Sequence, residues 1–189
     1  MAKLIAGMTV SLDGFVADAS GSAGRLYTDL PDLRGSAYME AAIEETGAVL
    51  MGRRTFEMGD PDSYVGTYEF QVPIFVLTHR PPETPPKQDE RLMFTFVTDG
   101  LASGVEQARA AAGDKAVTVV GGASVVQQLL RAGLADELRV DVMPVLLGGG
   151  LRLLENLDSS RIRLERSSVE EVGPRTSLRF RVVTRGEGA

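Results

Sequence analysis

A chain of 189 residues with 43% hydrophobic content is long enough to bury one substantial core, and its 24% charged content separates it from disordered and fibrous chains. The formal net charge is −6, from 20 basic and 26 acidic residues with no run of four bases, which argues against a nucleic-acid partner. With no cysteine and one histidine, His79, the chain cannot build a disulfide, a thiolate site or a histidine cluster; no metal is expected, and the lack of cysteine fits the cytoplasm.

The apolar segment 4–10 is too short for a signal-peptide core with its cleavage site or for a membrane span, and reads as a first strand buried on both faces. The stretch 15–30 is rich in Gly, Ser, Asp and Ala, and a loop of that length inside a domain is expected to be functional. A helix is predicted to open at Pro31-Asp32 and run with Tyr38, Met39, Ala42 and Ile43 on its inner face to a stop at Gly47. A strand over 48–51 leads into a short helical segment around Phe56 and Met58, and 74–77 is a further short buried strand.

The four prolines of 80–86 mark an extended surface loop, after which 93–97 resumes as a strand. Helices are predicted over 102–112 and 123–131, on either side of a strand at 116–120. The second helix turns Val125, Val126, Leu129 and Leu130 inward and ends at Gly133. Alternating strands and helices imply a mainly parallel sheet. The segments 137–143, 162–172 and 176–184 alternate apolar and polar residues with no long helix between them. They are expected to be antiparallel edge strands, the last two forming a hairpin across Gly173-Pro174.

Candidate chemistry gathers where strands end. Gly121-Gly122 joins a strand to a helix, and the free N–H groups of that helix start suit a phosphate; the same pair also serves as a plain tight turn. Gly52-Arg53-Arg54-Thr55 adds two guanidinium groups and a hydroxyl at a second strand end, and Thr78-His79-Arg80 places three polar side chains at a third. In open α/β sheets ligands collect at the carboxyl ends of strands. Asp13 is a candidate proton donor or substrate ligand, with Asp-Gly turn chemistry as the alternative. Gly148-Gly149-Gly150 either approaches a substrate through its backbone or permits a sharp reversal after Pro144.

The ordered set Ser11-Leu12-Asp13-Gly14-Phe15-Val16-Ala17, Met51-Gly52-Arg53-Arg54-Thr55-Phe56, Leu77-Thr78-His79-Arg80 and Val120-Gly121-Gly122 resembles the dihydrofolate-reductase superfamily. Asp136-Glu137-Leu138 and the run from Pro144 to Gly150 are similar to its riboflavin-pathway reductase branch. The resemblance implies an α/β three-layer fold, a mostly parallel central sheet with antiparallel C-terminal edge strands and helices on both faces. It also implies an NADPH-dependent reductase of a nitrogen heterocycle, most like the 5-amino-6-(5-phosphoribosylamino)uracil reductase of riboflavin biosynthesis. By the same resemblance Arg53, Arg54 and Thr55, with Gly52, contact cofactor phosphate. Thr78, His79 and Arg80 form the 2′-phosphate pocket, Gly121, Gly122, Ala123, Ser124 and Val125 cradle the pyrophosphate, and the backbone of Gly7, Val16 and Ala17 brackets the nicotinamide.

Two departures bear on substrate. Dihydrofolate reductases carry an acid early in the first helix, for which Asp32 and Glu40 are the nearest residues here, outside the family's register. Riboflavin-pathway reductases tend to carry a substrate-contacting lysine in the first strand, where this chain has Gly7. The zinc signature of the deaminase that often precedes the riboflavin reductase is missing from these residues, and one domain over 1–189 is expected. Pterin reduction and noncatalytic nucleotide binding are the alternative readings, and the C-terminal hairpin offers an edge for a homodimer.

Overall fold

The computed structural model describes residues 1–184. In chain order the strands are β1 (Leu4–Ser11), β2 (Phe15–Ala17), β3 (Thr46–Gly52), β4 (Ile74–Leu77), β5 (Phe94–Val97), β6 (Ala116–Val120), β7 (Glu137–Met143), β8 (Leu151–Arg152), β9 (Ile162–Val172) and β10 (Arg175–Thr184). The helices are α1 (Leu30–Leu33), α2 (Ala37–Glu45), α3 (Arg53–Phe56), α4 (Tyr64–Thr67), α5 (Leu101–Ala112) and α6 (Ala123–Arg131).

The central sheet runs β5-β4-β3-β6-β1-β7-β10-β9, parallel from β5 to β7 and antiparallel across β10 and β9. Strand β3 shows why both faces are covered. Its Ala48 and Leu50 join the core beneath α5 and α6, while Val49 and Met51 face the opposite core of Phe56, Tyr64 and Phe94. Alternate residues of one strand thus serve two layers. On α6, Val125, Val126, Leu129 and Leu130 are all at most 5% exposed, and burying each such side chain contributes about 1.5–3 kcal/mol. That packing fixes where the N-terminus of α6 points. No helix among the described residues is long and apolar enough to cross a membrane.

The structure corrects four expectations. The segment 137–143 is not an antiparallel edge strand: β7 lies between β1 and β10 and runs parallel to β1. Its polar alternation imitates a half-solvated strand, yet Glu137, Arg139 and Asp141 are satisfied by ion pairs and hydrogen bonds on one sheet face. The helix expected over the thirties and early forties is two helices, because Gly35 takes φ +72° and Ser36 then caps α2 through the Met39 amide. Ile43 is 38% exposed and belongs to no inner face. Gly47 does not stop that helix. It sits at an irregularity in β3, where a Cβ would come within 2.5 Å of the Ala112 carbonyl oxygen. Finally, the expected loop 15–30 begins with a buried strand, β2, paired with β8.

Candidate functional site

The carboxyl ends of β1, β3, β4 and β6 open into one cleft of about 1510 Å³, above the roughly 300–1,000 Å³ of common ligand pockets. It has room for two molecules side by side. Gly7 of β1 and Val16 and Ala17 of β2 line it. Glycine is required at position 7 because a Cβ there would meet the Arg139 carbonyl oxygen at 2.6 Å.

The turns after β3 and β6 interlock. The Gly52 amide donates to the Gly121 carbonyl at 3.3 Å, and Gly121, at φ +84°, lies so close to Thr55 that a Cβ would approach its hydroxyl oxygen at 2.9 Å. Gly122 caps α6 with no side chain, and its carbonyl accepts from Val125 and Val126. The first amides of the helix, on Ala123 and Ser124, therefore stay available to an anion, with the positive end of the helix dipole behind them. Ala123, Ser124 and Val125 all line the cleft.

Arg53 and Arg54 line it from α3. The Arg53 guanidinium pairs with Glu57 at 2.6 Å across an exposed turn, an interaction of little strength, and Arg54 has no ion pair among the described residues. At the end of β4 the Thr78 hydroxyl donates to the Arg80 carbonyl (2.8 Å) and accepts from the Arg80 amide (3.2 Å), which folds that turn on itself. Thr78 and His79 line the cleft; the exposed Arg80 does not.

Asp13 also stands off the cleft lining. Its carboxylate accepts from the Ser11 hydroxyl (2.5 Å) and from the amides of Leu147 (3.1 Å) and Gly148 (2.7 Å). These bonds, that from Ser11 foremost, hold its carboxyl at about 2, so at neutral pH it is an acceptor and has no proton to give. It clamps the loop after β7 onto the turn after β1. Gly150 completes that clamp at φ +124°, where a Cβ would fall 2.1 Å from the Ala17 carbonyl oxygen. Asp136 likewise binds structure: its carboxylate takes the Leu4 amide and Arg109, both at 2.8 Å.

Beneath α2 the cleft has a second, polar part that the motifs do not mark. Arg175, 2% exposed, binds both Asp29 oxygens (2.6 and 2.8 Å), Asp141 (3.1 Å) and the Thr9 hydroxyl (3.3 Å). Tyr38 donates to Asp141 at 2.8 Å and lies 3.1 Å from the Ser177 hydroxyl. Burial, with Asp141 beside it, pushes the Tyr38 phenol up to about 12, and the Arg175 hydrogen bonds hold Asp29 below the usual carboxylate range. Asp32 and Glu40, the acids nearest the reductase register, are exposed and off the cleft lining. The signal in the sequence was the polar Thr9 within the apolar run 4–10, aligned with Asp141 across β1 and β7.

The family described as RibD C-terminal domain matches residues 2–178. The chain belongs to that family. Protein YwjB of Bacillus subtilis (strain 168), itself uncharacterized, is 26% identical over 178 residues, covering 94% of this chain and 97% of YwjB. A solved structure from Shewanella sp. PV-4, named for riboflavin biosynthesis, superposes with a TM-score of 0.72 at 25% identity, over 97% of this chain and 99% of that one. A dihydrofolate reductase from Enterococcus faecalis, solved with NADP(H), has a TM-score of 0.57 at 20% identity over 95% and 96% of the two chains. The RibD-type chain therefore has the dihydrofolate-reductase-like fold, and its family is one of reductase-like oxidoreductases.

Proposed function

We propose that this RibD-type domain is an NADPH-dependent reductase of a nitrogen heterocycle related to the aminouracils of riboflavin biosynthesis. The observation that carries the reading is the junction of Gly52, Thr55 and Gly121 beside the uncapped start of α6. Backbone donors and helix dipole there face a cleft large enough for a dinucleotide and a second ligand. NADPH, when bound, supplies the hydride.

The chain's own residues then bind and orient. The amides at the start of α6 hold the pyrophosphate, with Arg54 and Arg53 adding charge. Thr78 and His79, which line the cleft, would hold the 2′-phosphate, and Arg80, exposed beside them and no wall of the cleft, would add long-range attraction. Gly7, Val16 and Ala17 leave the flat surface a nicotinamide needs. Tyr38 keeps its proton at neutral pH and gives it to Asp141, which holds that carboxylate in place to accept from a substrate. The open edge of β9, with Leu164 and Val169 exposed, supports pairing with a second copy.

A thermal-shift titration tests the cofactor. At roughly a hundred times its dissociation constant NADPH should stabilise the fold by about 2.7 kcal/mol, raising the melting temperature by on the order of 5–10 °C. No shift at millimolar NADPH would remove the assignment.

A further inference from the structure

Among the apolar residues that α6 turns inward stands one amide, Gln127, 7% exposed. Its Nε2 donates to the carbonyls of Arg152 (3.2 Å) and Leu153 (3.0 Å), which uses both N–H groups, and its Oε1 accepts from Arg131 at 3.4 Å. A buried amide costs free energy unless its bonds are made, and an apolar side chain of similar size would fill the same space without that condition. The four apolar residues Val125, Val126, Leu129 and Leu130 already anchor the helix. What the amide adds is a fixed spacing between α6 and β8.

Strand β8 is two residues long and pairs with β2, Arg152 beside Phe15 and Leu151 beside Ala17. So short a strand must find backbone partners outside its ladder, and Gln127 supplies two donors. Arg152 grips the ribbon a second time. Its guanidinium lies over the Phe15 ring at 4.3 Å and donates to the Asp13 carbonyl at 3.2 Å, while the Leu153 amide donates to the Gly14 carbonyl at 3.2 Å. Val16 and Ala17 of this ribbon line the cleft. On the cofactor reading above, Ala123 and Ser124 at the start of α6 hold the pyrophosphate, and Gln127 follows one turn later, about 6 Å along the axis. One helix thus touches the phosphate cradle at its first turn and, through Gln127, the ribbon that walls the nicotinamide.

We infer that Gln127 and Arg152 are positioning residues that set the distance from the pyrophosphate cradle to the wall on which the nicotinamide ring lies. The inference rests on the cofactor reading. Calorimetric titration with NADPH and with 2′-phospho-ADP-ribose, which is the same molecule without its nicotinamide ring, tests it. The two share every phosphate, so the difference between their affinities reports the ring alone. Gln127→Met keeps the length of the side chain and removes its donors. Checked for folding by circular dichroism, the variant should weaken NADPH by about tenfold or more and 2′-phospho-ADP-ribose by less than about twofold, because a wall displaced by about 1 Å disturbs the ring and not the phosphates. Equal losses for both ligands, or no loss for either, overturn the proposal.

Arg152→Ala, at an exposed position, tests the second grip and should show the same selective loss at about three- to tenfold. Parallel losses or none in this variant overturn the role of Arg152, and overturn the whole proposal if Gln127→Met does not fold. The parent protein separates the inference from the reading beneath it. Equal affinity of the parent for the two ligands would show that the ring gains nothing from this wall, which overturns the inference and leaves the phosphate cradle standing. A parent that binds neither ligand at millimolar concentration overturns the cofactor reading and the inference with it.

Discussion

The two parts of the cleft are built from different materials. The part around Gly52, Thr55 and Gly121 is made of backbone: close-packed glycines, an uncapped helix start and an arginine without an ion pair among the described residues. The part beneath α2 is made of side chains that already satisfy one another, with a 2%-exposed Arg175 between Asp29 and Asp141. The first holds donors ready for a ligand that brings its own negative charge. The second spends its charges internally and presents a ligand with acceptors and apolar wall. On the proposed reading, anion affinity belongs to the turns, while shape and hydrogen-bond selection belong to the buried network.

The largest effect should come from breaking that network. Arg175→Ala leaves two carboxylates buried without their partner and should cost about 3–5 kcal/mol of stability, read from urea denaturation. A loss below 1 kcal/mol would mean that solvent reaches the pair freely. On the other side of the comparison, Gly121→Val places a branched side chain at φ +84° against Thr55, and should weaken NADPH by on the order of a hundredfold, about 2.7 kcal/mol. Circular dichroism distinguishes loss of the cradle from loss of the fold. Normal NADPH affinity in a folded variant would place the cradle elsewhere.

Arg54→Ala should follow, weakening NADPH by about ten- to a hundredfold with little change in stability, since the removed charge has no ion pair among the described residues. An unchanged dissociation constant would confine anion binding to the backbone. The smallest effect concerns acid. Asp13's carboxyl is held at about 2 in the folded chain against about 3.9 unfolded, so its contribution is complete above about pH 4 and is lost as pH falls toward 2. Hydrogen exchange at the Leu147 and Gly148 amides should accelerate across that window, ahead of exchange in β1. Unchanged protection would show that the loop after β7 is held by other contacts.

How legible these two parts were in the sequence follows from the same difference. Backbone sites advertise themselves through glycine and helix-start signals, so the turns at Gly52 and Gly121 and the bounds of β6 and α6 could be read directly. The buried network could not, because Asp29 and Arg175 lie 146 residues apart and meet only when β10 docks beside β7. The direction of β7 was hidden for a related reason. Its alternating Glu137, Arg139 and Asp141 look like residues facing water, and only Lys3 and their partners on α2 and β10 make a polar face compatible with a parallel interior strand. The split between α1 and α2 was present in Gly35-Ser36, a left-handed glycine followed by a cap, but the apolar spacing across it suggested continuity.

Amide chemical shifts of the isotope-labelled protein report directly whether NADPH lies against the strand-end turns. On titration with NADPH, the amides of Gly52, Arg54, Gly121, Gly122, Ala123 and Ser124 should move saturably and together, with those of β9 unmoved. Saturable binding whose shifts cluster away from these turns, or no change at millimolar NADPH, would contradict that placement.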